Sequence, residues 1–428
     1  MLRSFRLGSS RLGSSRLGPP GLRVLAAAAA AFLLGVLPAL PASAAPADSV
    51  RDQQLWVLNM MNVPDTWNVT RGSGVTVAVI DSGVNPDVSD LTGSVITGSD
   101  FTGVHTSPGN PSWGLHGTWM ASMIAGHGNE GGADSIGPDG IVGVAPEAKI
   151  LSIRVIPDKE DPGFPSYNKE PEQQIQHELA EGIMAAVKRH ARVISMSIGY
   201  SAPSGEVRAA IDYADQHGTV LVASSGNSGN NDTQHAAPSS RMAPVSFPAE
   251  YPGVLGVGAV TFGGQPASFS SGNLSVQVAA PGKGVPAQGR NGLYYTVDGT
   301  SPACALVAGV AALIEARYQG ISPALVMQAM TSTARQNPPG GYDVLTGFGI
   351  VDASAALTKA GQLMKERHQG SQVPLDAHFG GGAAAEPAAP VTSRGDGRLV
   401  AFLVLALLSL GAAAAGVTGV VRARGKRP

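Results

Sequence analysis

The chain has 428 residues, 43% of them hydrophobic and 14% charged, with a formal net charge of -2. That is long enough for one large domain with appendages, and the near-neutral balance argues against a phosphate-binding surface, so no nucleic-acid partner is expected. A single cysteine, Cys304, excludes an intramolecular disulfide.

Residues 1–44 read as a secretory signal peptide. Arg3, Arg6, Arg11, Arg16 and Arg23 precede the apolar run Val24 to Leu40, and Ala42-Ser43-Ala44 is a small-x-small cleavage signature that puts the mature start at Ala45. The short stretch from there to Trp56 leaves no room for an independently folding prosegment. From 45 to 360, β-branched runs alternate with helical patterns, which predicts an α/β domain: a doubly wound, mainly parallel sheet flanked by helices. Strands are expected at Val75 to Ile80, Ile150 to Val155, Val193 to Ser197, Val220 to Ser224, Val254 to Val257 and Ser275 to Ala279. Helices are expected at Gly117 to Gly126, Gln173 to His190, Gly205 to His217, Pro302 to Tyr318 and Ser322 to Thr333. Residues 361–398, rich in Gly, Ala and Pro, read as a flexible stalk. Leu399 to Val421 carries no charge and would reach roughly 34 Å at about 1.5 Å per residue, the length of a transmembrane helix. The basic tail 422–428 then lies in the cytoplasm and the domain outside, so the membrane is an expected partner.

Four polar residues stand at strand ends or helix starts in this pattern. Asp81 closes the apolar strand Ala78-Val79-Ile80, His116 opens a helix of small residues, Asn227 follows the buried strand Val220 to Ser224, and Ser301 precedes the apolar run from Pro302. Taken singly, each has an ordinary reading: a turn aspartate, a structural histidine, a turn asparagine and a helix N-cap. Together, in the order Asp, His, Asn, Ser, they are the parts of a serine hydrolase: orienting carboxylate, general base, oxyanion donor and nucleophile.

Ile80-Asp81-Ser82-Gly83, His116-Gly117-Thr118, Ser225-Gly226-Asn227 and Gly299-Thr300-Ser301 resemble the four signature motifs of the subtilisin-like serine proteases. The resemblance covers Trp56 to about Leu357 and includes Gly143-Val144-Ala145-Pro146, Ala280-Pro281-Gly282 and Gly347-Phe348-Gly349-Ile350-Val351-Asp352-Ala353. With a signal peptide and a C-terminal span, the chain looks like the mycosins, membrane-anchored subtilases of actinobacteria associated with type VII secretion. The resemblance implies an endopeptidase with Ser301 as nucleophile, His116 as base and Asp81 as its partner. Asn227 and the Ser301 N–H would form the oxyanion hole. It also implies that Ser197, Ile198 and Gly199 pair with an extended peptide substrate, and that Ala223, Ser224, Ser225 and Gly226 wall the adjoining side-chain pocket. A type VII secretion membrane complex is the implied partner. The alternative is an inactive subtilase scaffold within such a complex, and two departures speak for it: Pro302 after the serine, and Ala305 where the family usually has proline.

Cys304 reads as a small core residue. Asp158 to Glu172 reads as a solvated surface excursion, and His105, His127 and His235 as surface residues. The acids Asp134 and Asp139 lack a regular liganding spacing, so neither a metal nor any other cofactor is expected.

Overall fold

The computed structural model describes residues 49–370 apart from 105, 109, 111, 131–135 and 230–241. The signal peptide, most of the stalk, the proposed membrane span and the basic tail lie outside the described residues.

In chain order the elements are α1 (Val50–Met60), α2 (Val63–Thr66), β1 (Thr76–Asp81), a 3-10 turn (Ser89–Leu91), β2 (Val95–Asp100), α3 (Leu115–Ala125), β3 (His127–Asn129), β4 (Asp139–Val142), β5 (Lys149–Arg154), α4 (Phe164–Tyr167), α5 (Glu172–Lys188) and β6 (Val193–Met196). They continue with α6 (Gly205–Gln216), β7 (Val220–Ser224), β8 (Val254–Val260), β9 (Val276–Pro281), β10 (Val285–Gln288), β11 (Tyr294–Val297), α7 (Thr300–Arg317), α8 (Pro323–Ser332) and α9 (Ala353–Gly370). Seven strands form one sheet in the order β2-β5-β1-β6-β7-β8-β9, every pairing parallel. β3–β4 and β10–β11 are separate antiparallel pairs.

Alternation along β1 divides the core in two. Val77 and Val79 face a cluster containing α1, α3, α7, α8 and α9, while Ala78 and Ile80 face the cluster under α5 and α6. Helix α7 runs through the first cluster with Ala303 to Ile314 fully buried, as its all-round apolar sequence requires. It is also, among the described residues, the one helix long and apolar enough to cross a membrane, and its burial marks it as a core helix.

Four expectations are corrected here. Helix α7 begins at Thr300, so Pro302 is its third residue rather than its first, still within the first turn, where its missing N–H costs no intrahelical hydrogen bond. Helix α9 extends through residues 361–370, part of the stretch that the sequence reads as stalk. Asp158 to Glu172 is a surface excursion only in part: most of its residues are exposed, but Asp161 is 2% exposed and accepts from the buried Arg154 at 2.7 Å, and Tyr167 is buried beside Glu178. His127 is buried in β3 between the carbonyls of Thr92 and Gly128.

Helix α1, absent from the sequence expectations, opens with a capping box between Ser49 and Asp52. It is tied down at Gln54, whose side chain mimics a strand by donating to Val142 O at 2.7 Å and accepting from Val142 N at 3.0 Å. Arg51 adds bonds to the carbonyls of Gly140, Gly137 and Asp139.

Candidate active site

Asp81, Ser197 and Ser224 lie at the carboxyl ends of the adjacent strands β1, β6 and β7, the edge where parallel sheets collect functional groups. Asp81 is 1% exposed, and its Oδ1 accepts the N–H of Ser82 at 2.7 Å. His116 Nδ1 stands 2.8 and 2.9 Å from the two carboxylate oxygens. A carboxylate can only accept, so Nδ1 carries the proton and, in the neutral ring, Nε2 keeps the basic lone pair. Burial disfavours the imidazolium, but the Asp81 charge and hydrogen bond, helped by Asp158, outweigh it and raise the His116 pKa above its ordinary value.

Glycines allow this approach. A Cβ at Gly117 would stand 2.1 Å from Gly83 O and 3.3 Å from the Asp81 Cβ, so only a bare backbone lets α3 lie on the turn after β1. Thr118 completes the clasp by donating to Gly114 O and accepting from Asn85 N at 2.9 Å. Behind the turn, the Trp113 indole packs on Gly83, and the Arg154 guanidinium stacks over that indole at 4.5 Å while pairing with Asp100 and Asp161.

Ser301 occupies the second position of α7, 8% exposed, at the positive end of the helix. Its carbonyl accepts from Ser197 Oγ at 3.4 Å. The Thr300 N–H and Thr300 Oγ1 both donate to Asn227 Oδ1 at 2.9 Å. A backbone N–H has no other role than donor, so this contact fixes which end of the amide is oxygen and leaves Nδ2 free for another acceptor. Gly299, at φ 154 and ψ 172, holds a backbone conformation that side chains rarely adopt, and a Cβ there would only reach van der Waals distance of Asn227 Nδ2, at 3.4 Å. Pro302 and Ala305 are both buried in α7.

Cys304 is fully buried with Sγ 3.7 Å from Ser195 Oγ and Met196 O, and burial pushes its thiol up to about 11. It faces the sheet at β6.

A cavity of about 500 Å³ opens beside Ser301. Of the residues expected to bind substrate, Ser197, Gly199, Ser224 and Gly226 line it together with Asn227. Ile198, Ala223 and Ser225 do not: they are buried, Ala223 within β7, because alternate residues of an extended chain turn into the core. Ser246 and Ser271 were missed. A Cβ at Gly199 would stand 2.5 Å from Ser246 Oγ, and one at Gly226 would stand 3.2 Å from Ser271 Oγ and 3.5 Å from Ser246 Cβ, so Ser246 sits between the two glycine walls. No local signal marks either serine, since each enters from a separate loop. Among the described residues, no cluster of His, Cys, Asp and Glu suited to a metal is present.

The model of the subtilase family (Peptidase_S8) matches residues 72–370. The chain belongs to the subtilase family. It is a serine endopeptidase, with mycosins among its relatives. Mycosin-1 of Mycobacterium tuberculosis (strain ATCC 25618 / H37Rv) is 35% identical over 339 residues, spanning 71% of this chain and 73% of that protein. Mycosin-3 of the same strain is 31% identical over 413 residues, spanning 86% and 84%. Among solved structures, the serine protease MycP1, titled an essential component of the type VII (ESX-1) secretion system, aligns with a TM-score of 0.58 and 34% identity over 71% of this chain and 88% of its own.

Proposed function

We propose that this subtilase is a membrane-anchored, extracytoplasmic endopeptidase of a type VII secretion system, acting through Asp81, His116 and Ser301. The observation that carries the reading is the contact of a buried Asp81 carboxylate with His116 Nδ1, which leaves Nε2 as the base. Ser301 Oγ attacks the scissile carbonyl carbon as Nε2 takes its proton, and the oxyanion is held by the Ser301 N–H and Asn227 Nδ2. Collapse breaks the C–N bond, His116 returns the proton to the leaving amine, and water then releases the acyl group by the same steps. The peptide would lie extended along Ser197 and Gly199 by strand addition. The cavity lined by Ser224, Ser246 and Ser271, with no charged residue in its wall among the described residues, suits a small uncharged side chain before the scissile bond. Membrane anchoring rests on the Leu399 to Val421 run, and the secretion role on the relatives.

A membrane-impermeant, tagged phosphonate applied to intact cells tests the proposal. It should label Ser301 alone, in a protein that stays with the membrane fraction, and His116→Ala should abolish labelling. The rate should rise with pH through a midpoint above 6.5, because only the neutral imidazole accepts the serine proton and its pKa is raised. Folded wild-type protein that takes up no label between about pH 6 and 9 would leave the inactive scaffold as the better reading.

A further inference from the structure

Helix α3 starts without a cap of its own. Its N-cap is Gly114, at φ 64 and ψ 43, which has no side chain to offer the free N–H groups of the first turn. Two of those groups are met from the loop after β5, where Asp158 Oδ2 accepts the Leu115 N–H at 2.6 Å and Oδ1 the His116 N–H at 3.2 Å, and the next, the Gly117 N–H, is accepted by Ser82 Oγ at 3.1 Å. The Asp158 side chain is 7% exposed, and Arg290, at the tip of the β10–β11 hairpin, approaches Oδ2 at 3.7 Å.

We propose that Asp158 is a positioning residue of the active site, a carboxylate supplied from a distant loop that fixes the backbone carrying His116. The inference rests on the reading of His116 as the base. A buried carboxylate is costly, and burial does push the Asp158 pKa up, against its two N–H bonds. An ionised cap is nonetheless matched to this place. It lies at the positive end of a helix, and it stabilises the imidazolium that His116 becomes during the reaction. The charged groups around the ring are Asp81 from β1, Asp158 from the loop after β5 and, against Asp158, Arg290.

The test uses the full-length chain in detergent, reading the pH dependence of phosphonate labelling alongside an NMR titration of ¹³C-labelled histidine, with the His116 signal identified by its loss in His116→Ala. Asp158→Asn keeps one acceptor and removes the charge. It should move the His116 midpoint acidward by roughly half a unit to one unit while lowering the high-pH rate by no more than about threefold. Asp158→Ala removes the cap as well and should lower that rate at least about tenfold. Arg290→Gln should move the midpoint the other way. An unmoved midpoint in well-folded Asp158→Asn overturns the proposal, as does an effect confined to KM for peptides with Lys or Arg, which would make Asp158 a substrate contact. If wild-type protein takes no label, the NMR titration still decides the role of Asp158, so the two readings fail separately.

Discussion

Helices α3 and α7 each open with a proposed catalytic residue in the first turn, and each begins at a glycine without a side-chain cap of its own. Both borrow one. Asp158, a carboxylate, caps α3 beside His116, and Asn227, a neutral amide, caps α7 beside Ser301. The difference follows the charge each site must bear. In the proposed mechanism the histidine at α3 becomes a cation, which a nearby anion favours. At α7 the same mechanism develops an oxyanion, so the cap must satisfy Thr300 with its oxygen while presenting an N–H on its other side. A side-chain amide does both, whereas a carboxylate there would only accept and would repel the developing charge.

Exchanging the caps' chemistry should break the comparison most severely at Asn227. Asn227→Leu loses the oxyanion donor and should lower kcat by roughly 10² to 10³ with little change in KM. Asn227→Asp keeps the acceptor for Thr300 yet places an anion against the oxyanion, and should cost at least about tenfold more than Leu in steady-state assays near pH 8. Equal losses in the two variants would mean that Asn227 acts only by holding Thr300.

A second pair of substitutions separates the tip of one helix from the body of the other. In Gly117→Ala the new methyl meets Gly83 O, which is rigid backbone, so α3 must move off Asp81; kcat/KM should fall by about 10² or more. In Gly309→Ala the methyl meets the Val144 side chain at 2.6 Å, in the middle of α7. Overpacking there costs about 1–3 kcal/mol, offset by about 1 kcal/mol of helix propensity, with kcat/KM unchanged. Thermal unfolding alongside kinetics distinguishes the two, and a large activity loss in Gly309→Ala would tie the core packing of α7 to the chemistry.

The sequence carries the residues of these helix tips more clearly than it carries their supports. Six of the seven sheet strands are legible because they are short, β-branched and buried on both faces. The seventh, β2, is an edge strand reading Val-Ile-Thr-Gly-Ser-Asp, half-exposed and interrupted by Gly98, with no apolar run to mark it. Asp81, His116, Asn227 and Ser301 are legible because each sits in a motif whose glycines and small residues serve local geometry. Asp158 is 43 and 42 residues from the two N–H groups it caps, in a segment whose acids and prolines read as solvent-facing. The same holds for Arg154, which looks like the end of a strand but is buried under Trp113 with two aspartates. Helix α1 did leave a local sign in Ser49-x-x-Asp52, a capping box with Asp in place of Glu.

The far end of α7 sharpens the comparison with the smallest effect, one on stability rather than rate. Glu315 lies in the last turn, 1% exposed, where the negative end of the helix disfavours an anion. Arg192 Nε and Nη2 both bond its Oε2, at 3.0 and 2.8 Å, while Oε1 has no hydrogen-bond partner among the described residues. Burial outweighs the arginine and raises the carboxyl to about 7. The folded state therefore holds this proton more tightly than the unfolded chain, where the value is near 4.5. The stability so gained is fully present below about pH 4.5 and is lost as pH rises through about 7, with an upper bound of about 3 kcal/mol. Glu315→Gln keeps an acceptor for Arg192 and cannot ionise, so its Tm relative to wild type should climb between about pH 4.5 and 7.5 while the rate of Ser301 labelling stays the same. A Tm difference that stayed flat over that range would mean that Arg192 keeps Glu315 ionised throughout, and that the carboxylate at this end of α7 is as well compensated as the caps at the other.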